Sequence, residues 1–319
     1  LSLRSDFLIA KVTSAAGAIT QIVDLRNPLA KVDQRIDIIV GNLQDGFPST
    51  HFDTLGEAVA YVGEIANPSS GYDGRNFRIR VVGYTQETGT IPLSVDGLYI
   101  EGTRRLDHID SAGSRQGIHW SANAPLFDFN GKNGATIRNL SIHYDGTGTQ
   151  ATPNRIVFYN SALNTTEFNL IEDIYFNGNS KAHGFLYNLG IFVYSNIRNV
   201  SSFTTTDFFI KSDTDSSFSV NTIQDCKSIG VTSGYQLPLG TQSSIFLSYN
   251  NDPSLPGPPV IVPPGSPPPP VVDKNRIINN YLYGFLYGIF DNGTFDNFIS
   301  GNRIEGTQYV GIVLQVGAS

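Results

Sequence analysis

Residues 171–228 read IEDIYFNGNSKAHGFLYNLGIFVYSNIRNVSSFTTTDFFIKSDTDSSFSVNTIQDCKS, and three hexads in this stretch start at Ile171, Ile197 and Ile223, 26 residues apart. Each carries Asn or Asp at its third position, in Asp173, Asn199 and Asp225, and an apolar residue at its fourth, in Ile174, Val200 and Cys226. Four further copies flank them: VDGLYI from Val95, IRNLSI from Ile137, IINNYL from Ile277 and ISGNRI from Ile299. The closest copies are 22 to 26 residues apart, the length of one solenoid coil. The widest gap, 54 residues from Ile223 to Ile277, contains the Pro-rich run DPSLPGPPVIVPPGSPPPPVVD at 252–273. Proline donates no ladder hydrogen bond, so this run is an insertion and not a strand.

If each coil lies on the one below at about 4.8 Å, equivalent residues stack in columns. The first column, Val95, Ile137, Ile171, Ile197, Ile223, Ile277 and Ile299, is β-branched throughout, as a buried aliphatic stack requires. The third, Gly97, Asn139, Asp173, Asn199, Asp225, Asn279 and Gly301, suits a bend between strands. The fourth runs from Leu98 and Leu140 to Cys226, Asn280 and Asn302 and is expected to face inward. The echo between Phe185-Leu186-Tyr187 and Phe285-Leu286-Tyr287 reads as one strand position on two coils. No 3.6-residue periodicity accompanies the copies, which excludes helical repeats.

Composition agrees with an all-β chain: 15% charged residues, 32 Gly, 20 Phe and 15 Tyr favour strands and turns. A formal charge of −7 and the absence of a Lys/Arg cluster argue against nucleic acid as a partner. No apolar run approaches the length of a membrane span, and Arg4, Asp6 and Lys11 interrupt the first residues, so neither membrane insertion nor a signal peptide is expected. Cys226 is the only cysteine, which rules out an intrachain disulfide. The five histidines lack metal spacing and the acids lack a calcium-loop pattern, so no metal and no cofactor are expected.

With these hexads the chain from Phe52 onward resembles the pectate-lyase-like right-handed parallel β-helix superfamily, and phage tail-spike and tail-fibre proteins in particular. Two upstream segments add to the likeness. Thr54-Leu55-Gly56-Glu57 opens a helix as a capping box, with Leu55, Ala58, Val59, Val62, Ile65 and Ala66 on one face, similar to the plug that seals many β-helices. Ala18 to Arg26, AITQIVDLR, looks like the turn-and-strand segment near the attachment regions of phage tail fibres. The resemblance implies an attachment segment at 1–50, a capping helix and first strands at 51–94, and a β-helix at 95–319 carrying the insertion 252–273. It further implies a virion tail component, otherwise extracellular, assembling as a homotrimer and meeting other tail proteins through its N-terminal segment. Its surface would meet a host polysaccharide, either as a binder or as a depolymerase, that is, a glycoside hydrolase or a lyase; a purely structural solenoid is the third reading.

Candidate chemistry lies on the outward columns. The second column, Asp96, Arg138, Glu172, Arg198, Gln224, Ile278 and Ser300, alternates acid and base over its first four members and reads as an ion-pair ladder, with Glu172 as its candidate catalytic member. Another face carries Tyr99, Ser141, Tyr175, Ser201, Lys227, Tyr281 and Arg303, flanked by Glu101, His143, Asn177, Tyr283 and Glu305. Rings beside hydrogen-bonding groups suit a sugar, which nominates Tyr99, His143, Tyr175, Asn177, Tyr281 and Tyr283 for glycan binding. Catalytic acids, should there be catalysis, are sought in Glu101, Glu172, Asp213 and Asp215, while Asp173 and Asp225 are assigned to the bend. The chain departs from polygalacturonases and calcium-dependent pectate lyases in lacking their catalytic motifs.

Overall fold

The computed structural model describes residues 10–15, 18–24, 35–41, 51–66, 73–102, 117–147, 154–161, 164–213, 216–231, 243–248, 272–292 and 296–315. These residues form a parallel β-helix, all-β apart from one α-helix and one 3-10 turn. Sheet I stacks ten strands, from His51–Phe52 and Ile36–Val40 at its base through Phe77–Val81, Tyr99–Gly102, Thr136–Arg138, Leu170–Glu172, Asn196–Arg198, Thr222–Gln224 and Arg276–Ile278 to Phe298–Ser300. Sheet II has eight strands, from Tyr84–Glu87 to Arg303–Glu305, and sheet III has eight, from Ile91–Pro92 to Val310–Gln315. Each of eight coils gives one strand to sheets I, II and III in turn. Coils three to five add a short sheet IV from Thr165–Glu167, Ile191–Val193 and Ser217–Ser219. Within 1–50, Ala10–Ala15 and Ala18–Asp24 form a separate antiparallel pair.

Side chains alternate across a strand, so each sheet sends every second residue inward. On sheet I the inward column is Ile38, Ile79, Ile100, Ile137, Ile171, Ile197, Ile223, Ile277 and Ile299. From Ile137 upward this is the column expected from the hexads. Below it Ile100, not Val95, occupies the position, because the true motif of that coil is Ile100-Glu101-Gly102. A β-carbon on Gly102 would come within 2.1 Å of the Asn139 carbonyl oxygen, so the coil spacing itself requires glycine there. The Phe-Leu-Tyr echo also shifts: Leu186 stacks through Ile210 and Ile245 under Ile289, three residues beyond Leu286.

The bend column between sheets I and II has left-handed backbone in Asn139 (φ 54°), Asp173 (55°), Asn199 (50°), Asp225 (53°), Asn279 (55°) and Gly301 (66°). Asn, Asp and Gly tolerate this region best, which explains the composition of the column. Asn199 and Asn279 are exposed, so the column sets the bend at the surface and is not a buried ladder, with Asn199 Nδ2 also donating to Asp173 Oδ1 one coil below.

The buried ladder lies elsewhere. Two residues before the isoleucines stand Asn169, Ser195, Asn221, Asn275 and Asn297. The Asn169 side chain accepts from Ala135 N–H at 2.9 Å, Ser195 Oγ from Asn169 N–H at 3.0 Å, and Asn221 from Ser195 N–H at 2.9 Å. Asn275 accepts from Asn221 N–H at 3.1 Å and Asn297 from Asn275 N–H at 2.8 Å. Each side chain thus satisfies a backbone donor one coil below that would otherwise be buried without a partner. A second ladder closes the top of the fourth column, where Asn280 accepts from Cys226 N–H at 2.9 Å and Asn302 from Asn280 N–H at 2.9 Å.

In that column Cys226 is buried, and its thiol donates to the Gln224 carbonyl at 3.2 Å. A buried thiol meets reagent only when the coil opens. Cys226 is therefore expected to stay unlabelled by a colourimetric disulfide reagent in the native state and to react fully in denaturant; rapid native labelling would contradict the column.

The capping box is present: Thr54 caps Leu55–Ile65, and Leu55, Ala58, Val59 and Val62 are buried. Glu87 from sheet II reaches the helix N-terminus, accepting from Leu55 N–H at 2.7 Å and Gly56 N–H at 3.3 Å. A carboxylate there satisfies two free donors and favours the positive end of the helix dipole. The helix packs on the first coil as a plug. Of the Pro-rich insertion, 252–271 lie outside the described residues, while Val272 is buried and Asp273 O accepts from Val220 N–H at 3.0 Å.

Candidate functional site

The outer face of sheet II carries two columns. One is Tyr84, Gly117, Ser141, Tyr175, Ser201, Lys227, Tyr281 and Arg303; the other is Gln86, His119, His143, Asn177, Phe203, Ile229, Tyr283 and Glu305. Six members of the expected tyrosine column stand where the sequence put them. Tyr99 does not; it lies on sheet I, beneath the guanidinium of Arg35 at 4.1 Å from its ring centre, and donates to Glu101 at 3.0 Å.

The lower half of the face is a closed stack. Ring centres run from Tyr84 to His119 at 4.9 Å, His119 to His143 at 4.9 Å, His143 to Tyr175 at 5.9 Å and Tyr175 to Phe203 at 5.4 Å. His119 Nδ1 bonds Asp145 Oδ2 at 2.6 Å, and Ser141 Oγ lies 3.0 Å from His143 Nε2. Burial pushes His143 down to about 4, helped by His119 and opposed by Asp145, so it is neutral at pH 7. Tyr175 is only 8% exposed, its ring flanked by its neighbours in the stack. It cannot offer a ring face to a sugar without the stack opening.

The upper half is open. Tyr281 and Tyr283 lie nearly parallel, at 15° with centres 6.5 Å apart, and Tyr283 is 43% exposed. Gly306, at φ 65°, sits beside Tyr283, and a β-carbon there would meet the ring at 2.8 Å. Tyr281 donates to Glu305 Oε2 at 3.0 Å, while Arg303 Nε donates to Glu305 Oε1 at 2.7 Å. The hydrogen bond from Arg303, with that from Tyr281 second, holds the Glu305 carboxyl below its usual range, and the same contact raises the Tyr281 phenol. Exposed ring area beside fixed donors and acceptors can stack on the C–H face of a sugar while bonding its hydroxyls.

The acidic candidates are engaged. Glu101 belongs to the sheet I ladder in place of Asp96: Arg138 Nη2 is 3.2 Å from Glu101, Arg138 Nη1 is 3.6 Å from Glu172, and Arg198 Nη2 is 2.5 Å from Glu172. Glu101 and Glu172 stand two coils apart, about 10 Å, with Arg138 between them. Asp213 accepts from Tyr187 OH at 2.5 Å and faces Lys211 Nζ at 3.4 Å. Asp215 lies outside the described residues. Asp173 and Asp225 occupy the bend.

A second polar cluster is sealed at the corner between sheets II and III. Buried Arg155 donates to buried His183 Nε2 at 2.8 Å, and Asp207 Oδ2 is 3.9 Å from the same nitrogen. Burial lifts Asp207 to about 6, against the opposing pull of Thr206, Arg155 and Lys211. An unfolded aspartate titrates near 3.9, so the folded state holds this proton more tightly. The associated stabilisation is complete below about pH 4 and is lost as pH rises through about 6. Asp207→Asn is accordingly expected to gain on the wild type by about 2 kcal/mol between pH 4 and pH 8. Urea midpoints across that range test this, and a difference independent of pH would refute it.

His119 and Phe203 were missed on sequence, although Ile118-His119-Trp120 and Ile142-His143-Tyr144 repeat an Ile-His-aromatic triplet one coil apart. Among the described residues, no three His, Cys, Asp or Glu side chains converge as a metal site. No protein-family model, no curated protein and no solved structure matches the chain.

Proposed function

We propose that the chain is a virion tail-fibre or tail-spike subunit that carries a glycan-binding surface on coils five to eight of sheet II. The observation that supports this reading is the pair of exposed Tyr283 and half-buried Tyr281 set among Lys227, Arg303 and Glu305. The tail assignment rests on the resemblance of the repeat and of residues 18–26, as do a homotrimer, contact with other tail proteins through residues 1–50 and a virion or extracellular location. The hydrolase form of the depolymerase alternative needs paired carboxyls about 5 to 9.5 Å apart. On this face the described carboxylates are Glu305 and Asp145, the partner of His119, about five coils or roughly 24 Å apart, which favours binding over hydrolysis.

Binding to an array of bacterial surface polysaccharides, with size analysis of each bound polymer, tests the proposal. Retention that falls about tenfold in Tyr283→Ala and leaves polymer length unchanged supports it. Shortened polymer would establish the depolymerase, and no retention on any glycan would leave a purely structural solenoid.

A further inference from the structure

The two long-chain cations on the outer face of sheet II are placed differently. Arg303 is committed to Glu305 at 2.6 Å. Lys227 is exposed, and among the described residues no carboxylate lies within ion-pair distance of it. Its ammonium stands 5.2 Å from the centre of the Phe203 ring and 5.8 Å from that of Tyr281. The nearest acid in sequence, Asp225, sits in the bend and accepts from Gln224 Nε2 at 2.9 Å.

We propose, resting on the glycan-binding reading, that the ligand is an acidic glycan whose anionic group, a carboxylate or a sulfate, pairs with Lys227. Both rings lie within cation–π reach of the ammonium, which favours its charged form at this position. A sugar stacked on Tyr281 or Tyr283 is one coil above Lys227, about 4.8 Å, which is within reach of a ring substituent. Charge-assisted hydrogen bonds are about twice as strong as neutral ones, so this position discriminates in favour of an anion. The chain as a whole carries a formal charge of −7, so attraction must come from this local cation and not from the overall field. That arrangement makes the preference local and sensitive to salt.

The test is calorimetric titration of the full chain with three probes: an oligogalacturonate, a chondroitin sulfate oligosaccharide and a neutral cello-oligosaccharide. At least one acidic probe is expected to bind about fivefold or more tighter than the neutral one. Lys227→Gln should abolish that preference and Lys227→Arg should keep it, with thermal melting reporting that both variants fold. Comparison of the two acidic probes identifies the anion. Equal affinity for neutral and acidic probes, or a preference that survives in Lys227→Gln, overturns the proposal and leaves glycan binding standing. Absence of binding to all three probes and to the polysaccharide array overturns both.

Discussion

Asn221→Leu is expected to lower the free energy of unfolding by about 4 kcal/mol, because two buried backbone groups lose their partners at about 1 to 3 kcal/mol each. Asn221 accepts from Ser195 N–H at 2.9 Å and donates to the Phe192 carbonyl at 2.9 Å, and it is wholly buried. Leucine has similar bulk and can do neither. Asn199→Leu is the control. Asn199 is exposed and left-handed, and its Nδ2 donates to Asp173 Oδ1 at the surface, so leucine there costs about 1 to 2 kcal/mol of conformational strain and an exposed hydrogen bond that water can replace. Urea denaturation of the two variants decides: similar losses would mean that the interior ladder contributes nothing beyond backbone shape.

Phe158→Ala is expected to cost about 3 to 5 kcal/mol, the range for deleting a buried aromatic ring. Phe158 is fully buried between Phe127 and Phe185, with ring centres 5.2 Å away on each side, and Phe129 touches it at 5.8 Å. Three successive coils share this ring stack, so the cavity cannot be closed by moving one side chain. Phe168→Ala changes a ring of the same size on the outside of the same coil, where Phe168 is 62% exposed. This ring stacks on Tyr194 at 5.2 Å, so its cost should be about 1 kcal/mol, well below that of Phe158. A small effect at Phe158 would show that neighbouring coils can collapse into the space.

The isoleucine column was readable because six of its members head hexads whose third residue adopts a left-handed bend, which favours Asn, Asp or Gly at that position. At Ile100 the same logic failed for a physical reason. The sheet I strand of that coil ends at Gly102 and its sheet II strand begins at Gly117, and the sequence directly after Gly102, Thr103-Arg104-Arg105, supplies neither apolar position of the hexad. Val95 to Ile100 matched in their place by composition. That single shift carried Asp96 into the charged column where Glu101 belongs, and placed Tyr99 on the wrong sheet. The asparagine ladder was visible as Asn two residues before Ile171, Ile223, Ile277 and Ile299, yet its burial depends on which way the preceding corner turns. Which tyrosines remain open was not readable at all. Tyr175 and Tyr283 are the same residue type on the same face, and only the rings above and below them determine that one is enclosed and the other available.

The interstrand hydrogen bonds of sheets I, II and III join one coil to the next and so run along the axis of the solenoid. Under mechanical load this orientation makes the direction of pull decisive. A force applied at the last strand, Val310–Gln315, peels one rung at a time, and each rung yields at the strength of a single bond. A force spread over a whole coil must break every rung of three sheets together with the asparagine ladder beneath them. A ligand gripped across several neighbouring coils of one sheet would load the rod in the second way, so that the same weak bonds resist together what they could not resist in sequence.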